Sequence, residues 1–329
     1  MMKTACIAVA LGALLVVGFG CGGGGGGDDT GGGANTEAWT YPETQMVVNA
    51  LYLPLTSADA KDYAFDLDHN GTVDNQLGNI LAALKTSMGS TSPQTSVDDA
   101  LGKGDIIVLF SIYAQTMQNS TAANLWAFLG SPVPIDPPDG PQAGDTFTVD
   151  PVNSPTDAYF GGKIKQGGGV FGGDNATLTI NLPLTTGSSL ELTLQAVNME
   201  FDISSTCTAT ACEFTNGKLG GAITEDDLNN KVLPEVTNLL QDQLTGKCSN
   251  TTGTCVCESG SGAETIQSMF DTDGSCDVTL AEVQSNNIIK AFLKGDVKLK
   301  GCTEPCALSL AVGFDAVNAV FTHAAPPLQ

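Results

Sequence analysis

The sequence predicts an α+β fold: an antiparallel, β-rich body with a sandwich-like sheet, and flanking helices that carry two acidic loops. Three observations predict it. Residues 176–203 alternate apolar and polar with a period of two, as a sheet with one buried face requires. Residues 75–88 place Leu77, Ile80, Leu81 and Leu84 on one face at helical spacing. Strand-like and helical stretches lie at both ends of this order, which argues for one body and against beads on a string.

Residues 1–20 read as an export signal, with Lys3, a short apolar core from Ala5 to Phe19, and Gly20. The core is short for a membrane span, which needs roughly 20 residues. Residues 21–38 form a Gly-rich tether, and order is expected from Trp39 and Tyr41 onward. Residues 39–104 read as mostly helical and contain the first acidic loop. A second short helix starts at Ser92-Pro93, runs to Leu101 and ends at Gly102 and Gly104.

Residues 105–223 form the antiparallel β region. Ile106 to Met117 is a strand-like apolar run, and Pro132 to Pro141 is a loop. Ala176, Leu178, Ile180, Leu182 and Leu184 alternate with polar residues, Thr185 to Ser189 supplies a turn, and Leu190, Leu192 and Leu194 alternate again. The apolar set then moves to Val197, Met199, Phe201 and Ile203. A change of phase requires an inserted residue, so a β-bulge is expected near Gln195 to Val197. The Gly-rich stretch from Gly167 to Gly173 lacks the Lys-Ser/Thr and the helix that a phosphate loop needs.

Residues 224–296 are helical and Cys-rich. Thr224 with Asp227 starts a helix whose apolar face is Leu228, Val232, Val236, Leu239, Leu240 and Leu244, with a kink expected at Pro234. Helix, second acidic loop and helix follow from Ala263 to Leu293. Residues 297–329 close the chain with strand-like Val297 to Leu299 and Leu308, Leu310, Val312 and Phe314, then a tail.

The formal charge is −23, and all 13 basic residues are lysines. Without the bidentate fork of arginine, so acidic a chain is ill suited to nucleic acid or to an anionic membrane surface. Its acidic surface attracts cations. Of the 10 cysteines, Cys6 lies in the export signal and Cys21 follows it directly. The other eight, Cys207, Cys212, Cys248, Cys255, Cys257, Cys276, Cys302 and Cys306, are expected in disulfides because an exported chain meets an oxidising space. Cys207–Cys212 and Cys302–Cys306 are local enough to staple loop tips, which leaves Cys248, Cys255, Cys257 and Cys276 to pair among themselves. A zinc site from these four is the rival reading, weakened by the lack of a CxxC pair and of a nearby histidine.

The acidic loops carry the most specific chemistry. Asp271-Thr-Asp273-Gly-Ser275-Cys-Asp277-Val278-Thr279-Leu-Ala-Glu282 resembles an EF-hand calcium loop. Such a loop takes oxygen ligands from positions 1, 3, 5, 9 and 12 and a carbonyl from position 7. The resemblance assigns Asp271, Asp273, Ser275, Thr279 and Glu282 as ligands, Asp277 at the carbonyl position, and Val278 as the residue that pairs with a partner loop. Cys276 stands where the turn favours glycine. The first loop, Asp66-Leu-Asp68-His-Asn70-Gly71-Thr72-Val73-Asp74-Asn-Gln-Leu77, has Asp66, Asp68, Asn70, Thr72 and Asp74 at matching positions but Leu77 in place of the last acid. By the same resemblance the two loops would pair in space and enclose the β region as an insertion.

The layout around Cys21 looks like a bacterial lipobox, with Gly18 where such motifs usually carry Leu. From Cys21 through DLDHNGTVDNQLG to the final LSLAVGF, the chain resembles a family of uncharacterised exported lipoproteins of myxobacteria and their relatives. That resemblance implies lipidation at Cys21, a membrane partner through the lipid anchor, and an outer-membrane place in the cell envelope, but no activity. His69 and His323 are the only histidines, and neither has a Ser or Cys nucleophile obvious beside it in sequence. The expectation is a calcium-stabilised envelope protein with a structural or adhesive binding role and not an enzyme. The alternatives are a carrier, which requires a continuous apolar cavity, and a hydrolase, which requires a histidine meeting a nucleophile in a cleft.

Overall fold

A computed structural model describes residues 33–325, apart from 86–92, 153, 155–157, 186–187, 209, 252, 260–261 and 293. The export signal, Cys21 and most of the tether lie outside the described residues.

The first strands are β1 (Glu43–Tyr52), β2 (Val108–Ala114), β3 (Ser120–Leu129), β4 (Thr146–Thr148), β5 (Tyr159–Lys165) and β6 (Gly168–Gly172). They continue as β7 (Thr177–Thr185), β8 (Ser188–Ile203), β9 (Glu213–Thr224), β10 (Cys248–Thr251), β11 (Thr254–Cys257), β12 (Ala307–Asn318) and β13 (Val320–Thr322). Eight of them, in the order β6-β5-β3-β2-β1-β12-β9-β8, form one antiparallel sheet, and β6 pairs back to β8 from Gly168↔Asp202 to Gly172↔Asn198. The sheet is therefore a closed barrel, which corrects the expected open, sandwich-like sheet with flanking helices. Closure removes the free edges that a sandwich would have to cover.

The 16-residue β8 makes closure possible. Its first half pairs with β7 and its second half with β6. The change of partner falls at a register shift between Gln195 and Asn198, where Ala196 takes φ 49°. The bulge is where the alternation placed it, and it turns one strand from a hairpin into the barrel wall.

The barrel is filled by its own side chains. Phe110, Phe160, Phe171, Phe214 and Phe314 are all essentially inaccessible, as are Met46, Ile112 and Leu125. Glycines on neighbouring strands leave room for the rings. A Cβ at Gly169 would lie 2.6 Å from Phe201, one at Gly217 would lie 2.7 Å from Phe314, and one at Gly162 would overlap Phe171. The small-beside-large arrangement packs Phe171, Phe201 and Phe214 into a stack with centroid spacings of 5.7 and 4.1 Å. Each buried ring contributes about 1.5–3 kcal/mol of transfer free energy. A cavity of about 10 Å³ between Val48, Phe110, Leu219 and Phe314 is no larger than one water.

Helices patch the outer wall. They are α1 (Ser57–Asp62), α2 (Gln76–Lys85), α3 (Pro93–Lys103), α4 (Leu233–Leu244), α5 (Ala263–Phe270), α6 (Leu280–Ser285) and α7 (Asn287–Phe292). Helix α2 lies on β12 and α3 on β1. Thr224 caps the turn that leads into α4, accepting from the Asp227 N–H at 3.2 Å, and a π turn over Leu228–Val232 precedes Pro234 in the first turn of α4. The irregularity expected at Pro234 thus lies just before it.

One further reading is corrected. Residues 43–52, expected helical, form β1, because neighbours cover both its faces and the period of two is lost. Strands β3, β5 and β6, rich in Ala and Gly, gave no alternation to read. The cysteines form Cys207–Cys212, Cys248–Cys257, Cys255–Cys276 and Cys302–Cys306. The two local pairs are those their spacing predicted, and the other four do pair among themselves.

Candidate metal centre

The first loop joins α1 to α2. A single bridge closes its neck, with the Asp74 N–H donating to the Phe65 carbonyl at 2.7 Å. Within it, Asp66 accepts from the Asn70 and Gly71 amides, each at 3.0 Å, and Asp68 accepts from the Asn70 amide at 3.3 Å. The Thr72 amide donates to Asn70 Oδ1 at 2.8 Å. These bonds wrap the chain around the carboxylates, and His69 and Gly71 take φ values of 57° and 87° to do so. Asp74 is 6% exposed and accepts from the Leu67 amide at 2.9 Å. Burial pushes its carboxyl up to about 6, against the Leu67 hydrogen bond and with help from the charges of Asp68, Asp296 and Asp66.

Tertiary contacts hold this loop on the barrel. Asn75 donates to the Ala60 and Ala311 carbonyls at 3.0 and 3.1 Å and accepts from the Gly78 and Ala311 amides at 3.0 Å each. The Gln76 amide donates to Ser309 Oγ at 2.7 Å, and Ser309 in turn bonds Asp296. Phe65 rests in the space left by Gly220, and Tyr63 in that left by Gly313. The Lys298 amide donates to Asp68 Oδ2 at 3.2 Å. Leu77, at the last position, is buried in the core.

The second loop joins α5 to α6 and repeats the same turn. Asp271 accepts from the Ser275 and Cys276 amides at 2.9 and 3.1 Å, and Asp273 accepts from the Ser275 amide at 2.9 Å. The Asp277 amide donates to Ser275 Oγ at 3.2 Å. Gly274 and Cys276 take φ 71° and 69°, at the positions of His69 and Gly71. Glu282 reaches back across the loop. One oxygen accepts from the Thr272 N–H and O–H at 2.7 and 3.0 Å, and the other from the Thr279 N–H and O–H at 2.9 and 2.8 Å. Burial pushes the Glu282 carboxyl up, but these four bonds outweigh it and leave it below the ordinary value. Its Ser275 hydrogen bonds hold the Asp273 carboxyl low as well.

In each loop three carboxylates converge. One oxygen each from Asp66, Asp68 and Asp74 lie within 4.8 Å of one another, and so do those of Asp271, Asp273 and Glu282. The other expected ligands have local duties. Asn70 and Ser275 hold backbone amides, Thr279 and Glu282 form a capping box for α6, and the Asp277 carboxylate accepts from Gln241 at 3.2 Å. The expected pairing of the two loops does not occur. Val73 is 44% exposed, whereas Val278 is buried and its amide donates to Gln241 at 2.6 Å.

Three groups were missed in sequence. Asn75, directly before α2, carries the signal of a helix-capping residue. Gln241, and the meeting of His323 with Glu43 and Ser111, carried no local signal, because these residues come together across the fold. His323 does meet a hydroxyl: its Nε2 lies 3.0 Å from Ser111 Oγ. Ser111 is fully buried, and Glu43 occupies the same ring nitrogen at 2.7 Å. His69 pairs with Asp174 at 2.7 Å in solvent, which raises its basicity. No family model, curated protein or solved structure matches the chain. Among the described residues no helix is long and apolar enough to cross a membrane.

Proposed function

We propose that the chain is a calcium-stabilised protein of the bacterial envelope, anchored through a lipid on Cys21, with a structural or adhesive binding role at the cell surface. The observation that carries the calcium part is the repeated turn, in which Asp66 with Asp68, and Asp271 with Asp273, hold corresponding amides while a third carboxylate closes in. Calcium is a hard cation that takes six to eight oxygens. Each loop offers three carboxylates, with Thr72 or Asp277 at the position whose carbonyl completes such a shell. The donor set is oxygen only, since the nearby cysteines are all in disulfides. When bound, the ion supplies positive charge to carboxylates that have no lysine in salt-bridge contact among the described residues.

The filled barrel supports a structural body in preference to a carrier, because a cavity of about 10 Å³ holds no lipid. The anchoring part rests on the order of the signal, Gly20 and Cys21 alone. Thermal melts of the wild type in millimolar calcium and in chelator test the first part. With a Kd of roughly 10⁻⁴–10⁻³ M the gain is about 1 kcal/mol. Identical midpoints would mean that the loops are plain acidic turns. Metabolic labelling with a palmitate analogue tests the second: label on wild type and none on Cys21→Ser is expected, and no label on wild type sinks it.

A further inference from the structure

His323 lies near the end of a short segment folded back over the barrel. After β12 the chain turns into β13, which pairs in parallel with β4. The amide of Gln45 grips Phe321 on both sides, accepting from its N–H at 2.9 Å and donating to its carbonyl at 2.8 Å. Two residues on, the His323 ring inserts between Trp126 and Phe128, with centroids at 5.3 and 4.8 Å. Its side chain is 6% exposed.

Both ring nitrogens face acceptors. Nδ1 lies 2.6 Å from the Ala324 carbonyl, and Nε2 lies 2.7 Å from Glu43 Oε1. The Ser111 hydroxyl gives its proton to the same Glu43 oxygen at 2.5 Å, and the Gln45 amide donates there at 3.0 Å. A carbonyl and a carboxylate cannot donate, so this geometry needs a proton on each nitrogen: an imidazolium buried beside a carboxylate. Glu43 from β1 is the charged group in contact with the ring among the described residues. Strand β2 contributes the hydroxyls of Ser111 and Tyr113, β3 the rings of Trp126 and Phe128, and β13 the ring of Phe321. Loss of one proton would turn a bare lone pair toward the Glu43 carboxylate or toward the Ala324 carbonyl.

We propose that the segment Val320–His323 is a pH-operated strap, latched by the doubly protonated His323 on Glu43 and released when the ring loses a proton. Release uncovers Trp126 and Phe128 on the outer wall. The two titratable groups against the ring, Glu43 and Tyr113, keep their charge state through neutral pH. Burial pushes the Glu43 carboxyl up, but the His323, Ser111 and Gln45 hydrogen bonds outweigh it and keep it below the ordinary value. Burial pushes the Tyr113 phenol well up, and the Glu43 charge adds to this.

Hydrogen exchange on the full chain between pH 6 and 9, corrected for intrinsic rates, reads the strap directly. The probes are the amides of Phe321, bonded to Gln45, and of Val320, bonded to the Asp145 carbonyl. The Phe314 amide in β12 serves as the control for global unfolding. In the wild type, protection of the two strap amides should fall at least tenfold across this range, while Phe314 is unchanged. In His323→Gln it should be low and flat over the same range. Ring ¹⁵N shifts should show two protonated nitrogens at pH 6. Strap protection that does not change with pH in the wild type overturns the proposal. So does a ring with one bare nitrogen at pH 6 under an intact strap, or equal loss at Phe314.

Discussion

The two acidic loops share a turn but are held by different means. The first has no acid at its last position, and the barrel holds it through Asn75, Gln76 and the rings of Phe65 and Tyr63. The second holds itself, through the Glu282 capping box, the Cys255–Cys276 bridge and two hydrogen bonds with Gln241. The same local conformation can thus be imposed by tertiary packing or built from local and covalent bonds. The carboxylates differ accordingly. Asp74 is buried where its charge is costly, while Glu282 is already satisfied by four donors.

The largest expected effect comes from removing the grip on the first loop. Asn75→Ala abolishes four buried hydrogen bonds and leaves partners unsatisfied, for a loss of about 3 kcal/mol in urea denaturation. Gln241→Ala, the nearest equivalent in the second loop, should cost less than about 1 kcal/mol because its site is partly exposed. Equal losses would break the comparison.

The covalent hold comes next. Cys255→Ala combined with Cys276→Gly removes a cross-link worth about 2–3 kcal/mol but restores a residue suited to positive φ, which returns up to about 1 kcal/mol. A net loss of about 2 kcal/mol in chelator is expected. No loss would mean that the capping box alone holds the loop.

Asp74 should give an effect of opposite sign. Its carboxyl binds a proton more tightly in the folded chain, near pH 6, than in the unfolded chain, near 3.8. The stability it lends is complete below about pH 4 and lost as the pH rises through 6. Asp74→Asn, which keeps the neutral shape, should therefore raise stability in chelator at pH 7.5 by about 1–2 kcal/mol and flatten the loss between pH 4 and 7. It should also lower the calcium gain. Destabilisation in chelator would show that the Asp74 charge is favourable where it lies.

The smallest effects rank the two sites for calcium. Glu282→Gln should remove most of the calcium-linked gain of about 1 kcal/mol, a shift of about 2 °C in Tm for a chain of this size. Asp66→Asn should remove less, because the first loop already lacks its last acid. The reverse order would make the buried first loop the stronger site.

Much of the candidate site was legible in sequence because its determinants are local. Alternate acids around a tight turn, and the Val that follows, are set within a dozen residues. The capping box of Thr279 and Glu282 was not read there, since both residues were assigned as ligands, although their spacing of three carries its signal. The contacts of Asn75, Asp296 and Gln241 were not legible, since they join residues far apart in the chain. Barrel closure was illegible for a related reason. Strand β6 is Gly-Gly-Val-Phe-Gly, and glycine has no hydrophobic signature. Its use is visible only once Phe171 and Phe201 lie beside Gly162 and Gly169.

By itself, then, the sequence determined the turns, the bulge at Ala196, the local cysteine bridges and the two acidic loops, because each depends on neighbours within a few bonds. The tertiary structure alone decided that the sheet closes, that the interior is filled, that the loops stand apart, and that His323 meets Glu43 and Ser111. These follow from strand pairing and side-chain packing between distant residues, where a glycine on one strand is the space for a ring on the next.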